Sequence, residues 1–299
     1  MYVARLAGAS VAAMGWWEAV ILGLVQGLTE FLPISSSAHI RVIGELLPHG
    51  ADPGAAFTAV IQIGTEAAVL VYFWKDIVRI VAAWFRALFG GDGGDWRSRT
   101  GKHDADARMG WWVILGSIPI VVLGVAFKDT IETSLRNLYI TAAVLAIFAV
   151  VLWFADRIGS KRRSLADLTV KDAILLGLAQ AMALIPGVSR SGGTITMGLL
   201  LGMTREAAAR VSFLLAIPAV LGSGFFELST EWDTLGAAGS PGLVNTAIAT
   251  VIAFGVGYAV IVWFLRLISH RSYTPFVLYR IGASGVIVGL LAAGAISAT

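Results

Sequence analysis

The sequence has no cysteine, which excludes disulfides, thiolate nucleophiles and sulfur metal ligands. It is also poor in charge. Asp, Glu, Lys and Arg make up 14% of 299 residues, well below the quarter or so of a soluble domain. The net charge of +3 is small. No lysine- or arginine-rich helix or arm is present, which argues against a nucleic-acid partner. The first residues, MYVARLAGASVAAMG, hold one arginine and a short alanine-rich run. That makes a poor signal peptide and reads as an N-terminal extension.

What the chain has instead is apolar length. It is 57% hydrophobic, with a mean hydropathy of +0.80. This composition belongs to an all-α polytopic membrane protein. A spanning helix needs about 20 mostly apolar residues. Six segments qualify: 55–74, 110–127, 137–156, 207–228, 243–265 and 276–297. Residues 16–48 and 172–203 are apolar too, but a proline and a Ser/Gly cluster break each near its middle. Each half is too short to span, so both are expected as re-entrant helical hairpins. Non-helical backbone at membrane depth survives only where protein or a water-filled cavity surrounds it.

Positive charge sets the expected orientation. Residues 75–108 carry seven Lys/Arg, 157–171 carry five, and Arg266 and Arg271 lie in a third loop, whereas 229–242 carries none. The positive-inside rule puts the first three loops in the cytoplasm and both termini outside. Trp74, Trp111, Trp112, Trp153 and Trp263 fall near the inner boundary, as an aromatic belt would. Residues 77–89 form an amphipathic pattern suited to a surface helix, and Gly90–Asp95 reads as a flexible loop.

The two halves resemble each other. Leu22, Gly23, Leu24 and Gln26 match Leu176, Gly177, Leu178 and Gln180; Pro33 and Ser36 match Pro186 and Ser189 after a one-residue gap. The unit recurs after about 153 residues. One transmembrane domain over 1–299 is therefore expected, with repeats at about 16–156 and 172–297. Three spans separate the two hairpins, so the second copy should be inverted, with the hairpin tips meeting near the midplane. Transporters often build central sites this way.

The polar residues concentrate in the two breaks. GLVQGLTEFLPISSSAH places Gln26 and Glu30 four apart on one helix face, with Ser36 and His39 on one face after Pro33. Each also has a plainer reading. Glu30 can be an interfacial carboxylate, Ser35, Ser36 or Ser37 can cap the next helix, and His39 can be a buried structural histidine. Ser36 and His39 together suggest a hydroxyl–base pair. The second break, PGVSRSGGT, sets Ser189, Arg190, Ser191, Gly192, Gly193 and Thr194 before an apolar helix. A helix N-terminus, close-approach glycines and a guanidinium suit phosphate. The plainer reading is a tight turn with Arg190 snorkelling to the surface. Together the breaks point to an anionic phosphate substrate, lipid-linked, with hydrolysis favoured over transport.

Both breaks resemble the signatures of the bacterial undecaprenyl-diphosphate phosphatases, also called bacitracin-resistance proteins. The first signature, (E/Q)xxxE then PxSS/TxxH, is carried by Gln26, Glu30, Pro33, Ser35, Ser36 and His39. The second, PGxSRSG, runs from Pro186 to Gly192. FTAVIQIGTEAAVLVYFW around Gln62 and TPFVLYRIGA from Thr274 extend the resemblance over nearly the whole chain from about Met14. It implies removal of the terminal phosphate of undecaprenyl diphosphate, recycling the carrier lipid for peptidoglycan synthesis, and tolerance to bacitracin. It implies an inner or plasma membrane location, a site opening to the outer face and a divalent cation, Mg2+ or Ca2+. Carried over by position, Glu30 is a catalytic or metal-linked acid, Ser36 a candidate nucleophile, His39 a candidate acid or base and Arg190 the phosphate ligand. Gln26, Ser35, Ser37, Gln62, Ser189, Ser191, Gly192 and Thr194 complete the expected substrate site. A polyprenyl diphosphate and membrane lipids are the expected partners, with a homodimer as a candidate assembly.

Many members carry glutamate where this chain has Gln26, and glutamine offers no charge. Glu66 is a candidate substitute, or else a hydrogen-bonded polar residue facing the cavity. In-line attack by Ser36, or by water activated at His39, is the expected chemistry. The type 2 phosphatidic acid phosphatases need a downstream catalytic histidine; after Arg190 none appears before His270. A carrier-lipid flippase or an anion transporter is the rival that shares the same central site.

Overall fold

The computed structural model describes residues 14–48, 52–89, 99–236 and 240–299. Most of the N-terminal extension and the Gly90–Asp95 loop lie outside these residues. Six long apolar helices carry the fold: α3 (Gly54–Tyr72), α5 (Ala105–Ala126), α6 (Leu138–Ile158), α9 (Arg205–Thr230), α10 (Leu243–His270) and α11 (Thr274–Ala292). They match the six expected spans within a few residues at each end, and the chain is a multi-pass membrane protein. α4 (Trp74–Phe89) is the amphipathic helix: Ile80 and Ala83 are buried, while Val78, Val81, Phe85 and Phe89 are exposed. Ion pairs Arg79–Asp106 (2.8 Å) and Asp76–Arg210 (2.7 Å) tie it to α5 and α9. Trp74, Trp153 and Trp263 are exposed. Trp111 and Trp112 instead turn their indole N–H groups to the carbonyls of Arg99 and Leu168, both at 3.2 Å.

Each broken segment folds as a pair of short helices: α1 (Trp16–Thr29) with α2 (Ser36–Leu46), and α7 (Val170–Ala181) with α8 (Arg190–Leu200). α1 ends before Pro33, whose ring excludes helix from the residues just ahead of it. α8 starts from Ser189 at φ +72° and α2 from Ser35 at φ +73°. These are two of three non-glycine residues with positive φ among the described residues. The register implied by the sequence is thus corrected at the caps: Ser35, not Ser36, is the counterpart of Ser189. Ser35 sits 154 positions before Ser189, as Gln26 does before Gln180 and Gly23 before Gly177. The starts of α1 and α7 keep this spacing as well. Glu18 Oε2 accepts the N–H of Gly15 at 2.6 Å, and Asp172 Oδ2 accepts that of Thr169 at 2.9 Å.

The first helix of each broken pair packs on a long apolar helix. α1 lies on α10, and α7 lies on α5. Both contacts depend on a bare backbone. A Cβ on Gly23 would sit 2.6 Å from the Ala249 carbonyl oxygen, and one on Gly177 would sit 2.5 Å from that of Gly116. α3 packs on α9, and α6 on α11. The largest apolar cluster among the described residues runs from Phe31 through Phe73 and Phe213 to Phe264 and Tyr273, and it includes Ile34 at the first break and Ile195 on α8. At one end of the bundle Asp156 pairs with Arg205 at 2.7 Å and accepts the Tyr273 N–H at 3.0 Å, joining α6, α9 and the start of α11.

Candidate active site

The two breaks meet. Arg190, first residue of α8, places Nη2 2.8 Å from Glu30 Oε1, with both side chains over nine-tenths buried. Glu30 Oε2 accepts from Gln26 Nε2 at 2.8 Å and from Ser36 Oγ at 2.7 Å. One carboxylate therefore gathers an amide, a hydroxyl and a guanidinium from three helix termini. The i, i+4 spacing of Gln26 and Glu30 foretold one of these contacts.

Arg190 does not snorkel. Its other nitrogen reaches the Ser212 carbonyl on α9 at 3.4 Å. Ser191 donates across the interface to the Leu32 carbonyl at 3.0 Å, stitching the second break to the first. Thr194 and Ser212 hydroxyls meet at 2.5 Å. Ser189 Oγ accepts the Gly192 N–H at 3.1 Å, so that amide closes the helix cap rather than lying open to an anion. Ser191 and Thr194 are fully buried and act as ties.

The expected pairing of Ser36 with His39 is corrected. Ser36 is bonded to Glu30, and the His39 ring lies between two other groups. Nδ1 is 2.7 Å from the Ser35 carbonyl, and Nε2 is 2.7 Å from the Tyr279 hydroxyl. A carbonyl only accepts, so Nδ1 carries the proton in the neutral ring and Nε2 receives the Tyr279 O–H. The two rings stack, with centroids 5.5 Å apart. They open onto an apolar cavity of about 320 Å³ between α2 and α11, lined by Ala38, Val42, Gly282, Ala283 and Val286. Ser35 Oγ and Ser37 Oγ lie 3.3 Å apart, with Ser37 exposed.

Two residues escaped the sequence reading, Tyr279 and Arg280. Arg280 is the largest fully buried side chain. It donates to the carbonyls of Pro33 (3.0 Å) and Val188 (3.1 Å) from Nη1, Gly187 (2.8 Å) from Nη2 and Leu145 (3.1 Å) from Nε. Non-helical breaks leave carbonyls unpaired, and Arg280 satisfies those of both breaks at once. The only sequence signal was an arginine inside an apolar span, which is costly enough to mark a role.

Gln62 is half-buried on α3, one turn before Glu66. Among the described residues no hydrogen bond joins its side chain to Glu30, Ser36, His39 or Arg190. Glu66 is not the hydrogen-bonded cavity residue that was the alternative reading. It is wholly buried, and neither carboxylate oxygen has a hydrogen-bond partner. Oε1 of the fully buried Gln26 is likewise unpartnered. Among the described residues no three His, Asp or Glu side chains cluster as a ready-made metal site.

A multi-span helical bundle that buries an arginine–carboxylate–hydroxyl cluster at two helix breaks is a membrane protein built to handle an anion. The family model described as "Bacitracin resistance protein BacA" matches residues 19–287, and the chain belongs to that family. It is 62% identical to "Undecaprenyl-diphosphatase 2" of Agrobacterium fabrum, over 96% of this chain and 99% of the relative. It is 59% identical to the undecaprenyl-diphosphatase of Paenarthrobacter aurescens and 58% identical to that of Micrococcus luteus, over 95% of this chain and 100% of each relative.

Proposed function

We propose that this protein hydrolyses undecaprenyl diphosphate to undecaprenyl phosphate and inorganic phosphate, recycling the carrier lipid for peptidoglycan synthesis and conferring bacitracin tolerance. The observation that carries the reading is the Ser36–Glu30–Arg190 contact, supported by close relatives named for this activity. Arg190 exchanges part of its hold on Glu30 for the terminal phosphate. As Ser36 Oγ bonds to the terminal phosphorus, its proton passes to Glu30. The bridging P–O bond breaks, its electron pair leaving with the prenyl monophosphate. Water then cleaves the phosphoserine. In the direct alternative, water held at the same position attacks in place of Ser36. His39 is held between the Ser35 carbonyl and the Tyr279 hydroxyl, and it orients that hydroxyl at the edge of the first break. Most of the rate comes from positioning and charge stabilisation.

Glu30 would hold a divalent cation, Mg2+ or Ca2+, together with phosphate oxygens of the substrate, because the described residues form no complete protein cage. When bound, it would offset charge on the diphosphate. The repeats at 16–156 and 172–297 are read as inverted copies, with both broken pairs re-entrant and the site open to the outer face of the inner membrane. The exchanged packing of α1 on α10 and α7 on α5 supports the repeat.

The test is phosphate release from a prenyl diphosphate by purified protein, with Arg190→Ala and Ser36→Ala as controls. Labelled substrate trapped on Ser36 selects the covalent route. The same helix exchange favours a rival, movement of the carrier lipid. Lipid translocation in liposomes without phosphate release would replace the hydrolase reading.

A further inference from the structure

Glu66 stands out as a buried acid that the chemistry above does not use. Its carboxylate is 0% exposed, and neither oxygen has a hydrogen-bond partner. An ionised carboxylate in that state is among the costliest groups a fold can bury. A purely structural position would hold a residue such as leucine there at less cost. The chain next to Glu66 meets the chain next to Glu30 at one point of α10. Phe31, next to Glu30, and Thr65, next to Glu66, both pack against Gly257 of α10. Gln26 turns its nitrogen to Glu30 and leaves Oε1 unpartnered and buried. Three oxygens, two from Glu66 and one from Gln26, are thus buried without a hydrogen-bond partner on helices that share α10 as a neighbour. These are hard oxygen donors of the kind that Mg2+, Mn2+ and Ca2+ select, with the remaining positions filled by substrate phosphate and water.

We propose that Glu66, with the Gln26 amide oxygen, supplies this protein's second anchor for the divalent cation that accompanies the diphosphate. The negative charge absent from position 26 on α1 is then provided from α3, across the site. Glu30 is then spared from acting as sole ligand while it exchanges its bonds to Arg190 and Ser36. This assignment rests on the diphosphate reading above.

The probe is Mn2+, followed by its electron paramagnetic resonance signal, on purified protein with a non-hydrolysable farnesyl methylenediphosphonate. Glu66→Gln should weaken Mn2+ binding at least tenfold while leaving chelator-insensitive binding of the analogue within twofold. Gln26→Glu on that background should recover most of the loss. Metal-free Glu66→Met, similar in size and apolar, should unfold at or above the wild-type temperature, because it removes an unpartnered acid. Undiminished Mn2+ affinity in Glu66→Gln, absence of Mn2+ binding by the wild type, or a lower unfolding temperature for Glu66→Met would overturn the proposal. Failure of the hydrolase reading looks different. Wild-type protein would then bind Mn2+ through Glu66 yet release no phosphate from farnesyl diphosphate.

Discussion

The two breaks share one backbone plan and differ in chemistry. Each begins after a helix with an acid near its start, runs past a buried glutamine and restarts from a serine at positive φ. At the first, Glu30, Ser36 and His39 are gathered. At the second, the serines and Thr194 bond to backbone and to each other, while Arg190 reaches the Glu30 carboxylate and Ser191 the Leu32 carbonyl of the first. The difference teaches that two breaks of like backbone can carry unlike side chains, the first an acid, a hydroxyl and an imidazole, the second a guanidinium and a set of ties. A strained serine conformation costs about 1–3 kcal/mol, and it occurs at both breaks, Ser35 and Ser189, whose side chains are otherwise differently bonded.

The largest expected effect breaks the contrast directly. Arg190→Ala should lower kcat/KM about a thousandfold, the scale of losing a transition-state charge donor. Arg190→Lys should not rescue it, because an ammonium lacks the fork that spans Glu30 and a phosphate. Near wild-type phosphate release from Arg190→Ala would show that the second break does not hold the anion. Next comes the tie between the breaks. Arg280→Met should cost about 3 kcal/mol or more, because it strands the carbonyls of Pro33, Val188, Gly187 and Leu145. The readout is the unfolding midpoint of the purified protein in detergent. Third, Gly23→Ala and Gly177→Ala should each destabilise by about 1–3 kcal/mol through overpacking. Comparable losses sharpen the matched-scaffold view, and an undisturbed Gly177→Ala undermines it.

A smaller effect probes the first break alone. Tyr279→Phe removes the hydroxyl bonded to His39 and should reduce kcat/KM about fivefold, near 1 kcal/mol. Steady-state rates on a prenyl diphosphate, with the unfolding midpoint unchanged, check it. The smallest effect concerns how the second copy starts. Asp172 is partly buried, which by itself would raise its pKa. Hydrogen bonds from Arg163 and Thr169 outweigh that and hold the carboxyl below its usual range. A folded-state pKa below the unfolded value stabilises the protein above pH ~4, and that contribution disappears as pH falls through the lower folded-state value. Asp172→Asn should therefore flatten the acid limb of a stability-versus-pH curve and leave neutral activity intact.

The chain's local chemistry settled a good deal. Apolar length placed six spans within a few residues, because burial of backbone in hydrocarbon admits little else. Pro33, Pro186 and the serine clusters placed both breaks. Spacing on one helix paired Gln26 with Glu30. What periodicity could not supply was anything decided between distant segments. Ser36 and His39 share a helix face, yet their partners come from Glu30 before the break and Tyr279, 240 residues on. Arg280 looked like one charge in a span, and only packing made it the donor to both breaks. The unpartnered state of Glu66 is likewise a property of what surrounds it. The sequence alone determined where the chain crosses, where it breaks and which polar groups the breaks carry, since those follow from hydrophobic run length and proline. Tertiary structure decided which of those groups meet, because a hydrogen bond between segments depends on how helices pack and not on the order of residues within either.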